Sequence, residues 1–236
     1  LNFETQPKQL LRRFADVICK CYKKLESYNE LMTSLNSLFV GSDGAPEVVI
    51  KKKAFGLYNL EILAEYHIEK SELLLQQFPS ALLQDPNSEI KVASLKAISA
   101  ILTSIDEEDI VFQYKSSMGN ILDVVIEVLK SDETQGQEAM ESLIELTSLH
   151  GEIWEDHVDK LVFVVSQIMQ NRDFEDATRQ SAIEMVNTVA ETNPAMLRKQ
   201  SSHLKEKLFP AYAYMMTEIA NADDLEAWHA DEDISE

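Results

Sequence analysis

Seven residues are spaced so that they can act together. Glu138, Glu141 and Glu145, and then Gln180, Glu184, Asn187 and Glu191, recur at intervals of three and four, which places each set on one face of an α-helix. Carboxylates on consecutive helices form a track whose field draws Lys and Arg side chains, while Asn and Gln amides can clamp the main chain of an extended peptide. The same spacing also describes the solvated face of an ordinary helix, because Glu is a good helix former. Both readings stand at this point. Lys52, Lys53, Lys91 and Lys96 fall on the same class of helix, so the track is not uniformly acidic.

Catalytic and metal chemistry find little to work with. The histidines, His67, His150, His157, His203 and His229, each stand in a different sequence context. His150 and His157, with Asp156 beside them, would share a helix face as metal ligands, but Gly151 is expected to break the helix between them. Cys19 and Cys21 lie two apart on an expected helix, which points them to different faces and suits neither a disulfide nor a CxxC metal site, so they read as two reduced thiols. There is no GxGxxG, Walker-type loop, GxSxG or HExxH, and Gly41 and Gly44 belong to a turn. The expectation is a protein that is not an enzyme, with no cofactor and no metal.

The elements that must position the seven residues show a period. A basic or small residue, a small residue three later, and apolar residues four and seven beyond that recur as Arg12, Ala15, Cys19, Tyr22; Lys53, Gly56, Leu60, Leu63; Lys91, Ser94, Ile98, Ile101; Gly136, Ala139, Leu143, Leu146; and Arg179, Ala182, Val186, Val189. The small positions are separated by 41, 38, 45 and 43 residues, within the roughly 40 to 47 of two-helix HEAT-type units. A small side chain at the same point of each second helix lets its neighbour approach closely while the i+4 and i+7 residues fill the seam. The second helices are expected near 8–24, 46–66, 88–105, 133–150 and 174–193. First helices fall at about 26–40, 69–84, 118–131, 152–170 and 201–219, with an insertion over 106–117. Turn signals at Gly41 to Pro46, Asp85 to Ser88, Ser131 to Thr134 and Asn171 to Asp173 are expected to cap the second helices. Phe78-Pro79 and Phe209-Pro210 are expected to bend two first helices. The fold class is therefore all-α: a right-handed α-α superhelix, or HEAT-repeat solenoid, of about five repeats over 1–220.

Composition agrees with a packed helical chain. Of 236 residues 45% are hydrophobic and 26% charged, with only six Gly and six Pro. The net charge of −20 makes nucleic acid and anionic membranes poor partners and basic proteins natural ones. No apolar run is long enough for a membrane span, and a start at Leu1-Asn2-Phe3-Glu4 suggests a piece of a longer protein. Residues 221–236 hold Asp223, Asp224, Glu226, Asp231, Glu232, Asp233 and Glu236 with no Lys or Arg, and read as an acidic mobile segment. Trp154 is expected in the core. Trp228, an aromatic within the acidic run, is a candidate for docking onto the solenoid or onto a partner.

Ala177 to Glu184 (ATRQSAIE), Ala190 to Lys199 (AETNPAMLRK), Phe209-Pro210, Met215-Met216 and the Asp-Leu-Glu-Ala-Trp run ending at Trp228 are similar to the karyopherin-β nuclear transport receptors, and among them to the importin subunit beta-3 branch. The specific motifs cover about residues 175–236, and the rest matches as HEAT repeats. The resemblance implies a superhelical carrier, shuttling between cytoplasm and nucleus, that binds basic protein cargo on its concave face. It further implies release by the GTP-bound GTPase Ran and contact with FG-repeat nucleoporins through grooves between outer helices, without nucleic acid or membrane. The rival reading is a HEAT-repeat scaffold or regulatory subunit of an enzyme assembly.

Overall fold

The computed structural model describes residues 3, 6–25, 28–40, 44–66, 82–105, 111–112 and 114–218. The helix expected over 69–84, the Phe78-Pro79 bend, much of the insertion over 106–117, and Trp228 with its acidic run lie outside the described residues.

Among the described residues the chain is helical without strands: α1 (Lys8–Leu25), α2 (Tyr28–Val40), α3 (Pro46–Tyr66), α4 (Ser88–Thr103), α5 (Met118–Ser131), α6 (Glu133–Leu149), α7 (Val158–Gln170), α8 (Asp176–Thr192), α9 (Pro194–Lys199) and α10 (Phe209–Met216). A helical turn Ser201–His203 and a π-helical turn Leu204–Leu208 lead into α10. The helices α1, α3, α4, α6 and α8 form one layer in which each packs extensively on the next. α2, α5, α7 and the 201–216 rod form the other layer. In the middle of the array α5 and α7 meet less extensively than α6 does with α4 and α8. Two stacked helix layers of this kind are the arrangement of an α-α superhelix.

The recurring small residues explain the close packing. Ala15, Gly56, Ser94, Ala139 and Ala182 are all buried. One core runs through the array, from Leu57 and Leu60 through Ile98 and Leu146 to Val186 and Val189. Gly136 is required by a near approach, since a Cβ there would lie 2.7 Å from the Leu129 Cα of the paired helix. Asn87 and Asp132 cap α4 and α6 by accepting from the Ile90 and Gln135 N–H groups at 3.2 and 3.1 Å.

Two local expectations are corrected. The first helix placed over 152–170 begins at Val158, and residues Gly151–Trp154 form a 3-10 turn instead. Gly151 packs so tightly against Thr192 that no side chain fits, and Trp154 must turn inward within that turn. The Asn171–Asp173 turn does not cap α8. Asn171 Oδ1 accepts from the Asp173 N–H at 3.0 Å, and the Glu175 N–H that precedes α8 is bound by Glu133 Oε1 at 2.7 Å. Pro210 stands at the start of α10, directly after the π turn.

Ion pairs join successive repeats. The repeated basic position reaches forward each time: Lys53 to Asp85 at 2.7 Å, Lys91 to Glu127 at 2.6 Å and Arg179 to Glu218 at 2.6 Å. Arg12 likewise pairs with Glu61 on α3. Lys115–Glu155 and Lys160–Asp123 tie the α5 region to that of α7.

The two thiols differ. Cys21 is exposed, whereas Cys19 is enclosed between α1 and α3 with its Sγ 3.5 Å from Asn59 Oδ1. Burial, with a smaller contribution from Asp16, pushes the Cys19 thiol up to about 12. Iodoacetamide at pH 8 is expected to label one cysteine in the native chain and two in denaturant by mass spectrometry. Rapid native labelling of Cys19 would contradict the packing of α1 on α3.

Candidate functional site

The two stripes occupy the layer formed by α1, α3, α4, α6 and α8. Glu138, Glu141 and Glu145 are exposed along α6, and Gln180, Glu184, Asn187 and Glu191 are exposed along α8. They are not electrically equivalent. Glu138 is bound by Lys96 of α4 at 2.7 Å, so it is already neutralised. Among the described residues Glu141 accepts from Gln137 on its own helix, at 3.3 Å. Glu145 stands at the mouth of a small pocket with Glu61, Lys96, Ser99 and Ser142.

The α8 residues come together with Ile183 and Thr188 around one shallow cleft of about 320 Å³. Asn187 Oδ1 accepts from the Tyr212 hydroxyl at 2.6 Å, which ties the stripe to the 201–216 rod and orients the Asn187 NH2 outward. The lysines that interrupt the track are engaged: Lys53, Lys91 and Lys96 hold Asp85, Glu127 and Glu138. The Tyr58 hydroxyl on α3 is pushed up to about 12 by burial first and then by Glu89, with Arg12 opposing and Glu61 and Glu138 adding smaller contributions.

Among the described residues the histidines do not converge. His150 ends α6, with its Nδ1 3.8 Å from Glu152, and His157 precedes α7, with its Nε2 3.3 Å from the Ser116 carbonyl. Among the described residues no three metal-ligating side chains form a group, and no helix is long and apolar enough to cross a membrane.

The opposite layer carries a different surface. A groove of about 430 Å³ between α5, α7 and the 171–174 turn is lined by Ile126, Leu129, Phe163, Val164, Ile168 and Phe174. Phe163 is 48% exposed there, an unusual state for a large aromatic.

Sequence reasoning did not find Glu61, Ser99 or the clamp on Glu218. The first two had a signal, since each stands five residues after the recurring small residue, at Gly56 and Ser94, and Asn187 holds the same slot after Ala182.

A family profile described as "IPO5-like, TPR repeats" matches residues 6–164, and one described as "Importin repeat" matches residues 171–236. The chain belongs to the karyopherin-β family. Members of this family are transport receptors and not enzymes. Among curated karyopherins, a probable importin-5 homolog of Dictyostelium discoideum is 22% identical over 173 residues, covering 70% of this chain and 16% of that protein. Importin subunit beta-3 of Saccharomyces cerevisiae is 24% identical over 145 residues, covering 59% of this chain and 13% of that protein. Two crystal structures of the karyopherin Kap121p are similar in fold. The one bound to the SUMO protease Ulp1p has a TM-score of 0.70 at 19% identity, covering 94% of this chain and 21% of that one. The one bound to Nup53p has a TM-score of 0.62 at 20% identity, covering 85% and 19%. This karyopherin chain thus spans about one sixth to one eighth of the length of the curated relatives it matches.

Proposed function

We propose that this chain is part of a nuclear import receptor that holds basic protein cargo on its inner helix layer. Residues 1–220 form the HEAT array and 221–236 an acidic segment whose Trp228 docks on the array or on a partner. The observation that carries the reading is the pair of exposed stripes, Glu141 and Glu145 on α6 and Gln180, Glu184, Asn187 and Glu191 on α8, on neighbouring helices of one layer. Glu138 contributes through its pair with Lys96. Carboxylates without a cation attract Lys and Arg, and the Asn187 and Gln180 amides can hold a peptide backbone. The outer groove with exposed Phe163 suits the aromatic side chains of FG-repeat nucleoporins. The receptor shuttles between cytoplasm and nucleus, and GTP-bound Ran releases the cargo. Support comes from the family membership and from the fold shared with a karyopherin seen bound to Ulp1p and to Nup53p.

Reversal of Glu141, Glu145 and Glu184 to Lys is expected to weaken binding of a lysine-rich peptide by about tenfold or more at low ionic strength, with the loss shrinking as salt rises. Fluorescence anisotropy across a salt series reads both quantities. An unchanged affinity would remove the inner face from the proposal. A scaffold subunit, by contrast, would ignore GTP-loaded Ran and FG-repeat peptides alike in a pull-down.

A further inference from the structure

Where α8 meets α9 and the 201–216 rod, an open groove of about 330 Å³ is lined by Val186, Ala190, Leu197, Leu204, Leu208 and Phe209, with Tyr212 at its wall. Phe209 is 57% exposed. The rod is π-helical over Leu204–Leu208, at the groove itself, and such turns are rare and concentrate at functional sites. The rim is basic in an otherwise acidic chain. Arg198 lines the groove, and Lys199, Lys205 and Lys207 follow it on the surface, with Glu206 the single carboxylate in that stretch. No ion pair among the described residues engages any of the four cations.

We propose that this groove is the seat of the chain's own acidic segment, with Trp228 lodged in it and the flanking carboxylates on the basic rim. The inference rests on the reading of 221–236 given above and says where that segment binds.

Length allows the return. Trp228 lies ten residues beyond Glu218, a reach of about 33 to 36 Å when extended. From the end of α10 back to Leu204 the rod measures only about 20 Å. Charge favours it as well. Asp223, Asp224 and Glu226 precede the indole and Asp231, Glu232 and Asp233 follow it, so an anchored Trp228 brings carboxylates to cations on both walls, Arg198 and Lys199 from α9 and Lys205 and Lys207 from the rod. The groove also suits an indole. The Tyr212 hydroxyl donates to Asn187 Oδ1 at 2.6 Å, so its oxygen keeps lone pairs for the indole N–H, while the aliphatic walls take the ring.

Acrylamide quenching of the full 236-residue chain tests the docking. Trp154 is fully enclosed, so the readily quenched emission belongs to Trp228, and Trp228→Phe supplies the baseline. The Trp228 quenching constant is expected to lie about threefold or more below that of N-acetyltryptophanamide at low salt, and to rise toward it in about 0.5 M salt. Phe209→Glu, and Lys205→Glu combined with Lys207→Glu, should each raise it about twofold to threefold. Lys130→Glu, exposed on α5, should leave it unchanged. All four side chains are exposed, and circular dichroism checks that each variant is folded at the assay temperature. Wild-type quenching equal to that of the free indole overturns docking on the array and leaves Trp228 to a partner. A shielded Trp228 that neither groove variant uncovers overturns the groove and places the segment elsewhere on the array. Shielding lost on dilution by about a hundredfold would put the segment on a second copy and overturn attachment within one chain. None of these outcomes touches the cargo reading, which the lysine-rich peptide tests separately.

Discussion

Replacing Trp154 with alanine is expected to lower the unfolding free energy by about 3 to 5 kcal/mol. Trp154 is fully enclosed, and its indole N–H donates to Thr147 Oγ1 at 2.8 Å. Thr147, itself fully buried, donates to the Leu143 carbonyl at 2.6 Å. The indole thus fills the space beneath the 3-10 turn that carries the chain from α6 to α7, and its polar edge is satisfied by the preceding helix. Alanine leaves a cavity that rigid helices on both sides cannot close. Trp154→Phe retains most of the volume and loses the hydrogen bond, so it should cost about 1 to 2 kcal/mol. Urea denaturation followed by circular dichroism distinguishes the two. A loss below about 1 kcal/mol for Trp154→Ala would mean that the turn is not a point of core closure.

Arg179→Ala should be comparably damaging, at about 3 to 5 kcal/mol, because it removes one partner of a buried charged network. The Arg179 side chain is 4% exposed. Its Nε donates to the Met169 carbonyl at the end of α7, at 2.9 Å, and a terminal nitrogen lies 2.6 Å from Glu218 Oε2. Arg172 holds the other Glu218 oxygen at 2.9 Å but is itself 65% exposed, so Arg172→Ala should cost less than about 1 kcal/mol. The contrast between the two arginines is the test, and equal effects would refute it.

The same cluster sets a pH dependence. Burial pushes the Glu218 carboxyl up, but hydrogen bonds from Arg179 and Arg172 outweigh it and hold the group below its ordinary 4.5. A carboxylate depressed on folding contributes stability that is complete above that value and is lost as pH falls through the folded value. Arg179→Ala should therefore flatten the acid limb of the stability curve.

The fold was legible because its rule is local. A helix approached closely by its neighbour must be small at one point, and Ala15, Gly56, Ser94, Ala139 and Ala182 display that point at an almost constant interval. The exposed faces of α6 and α8 were legible for a similar reason, since spacing of three and four assigns a face without any knowledge of neighbours. What joins repeats was not legible. Glu138 reads as a free carboxylate until Lys96, on a different helix, is seen to reach it. Arg179 finds Glu218 only through the register of two separate units. Glu61, Ser99 and Glu145 meet only because three helices pack at one height. The 3-10 turn at Gly151 and the π turn at Leu204–Leu208 are set by tertiary crowding, which periodicity does not record.

Four of the five units reach their successor through a forward-directed cation, Arg12, Lys53, Lys91 or Arg179, and such tethers are short-ranged. Elastically, the array resembles joints coupled in series. A small rotation at each adds up to a large change of curvature across the whole, while no single joint is strained far. Such compliance lets the array widen or tighten, and raised ionic strength should make it softer.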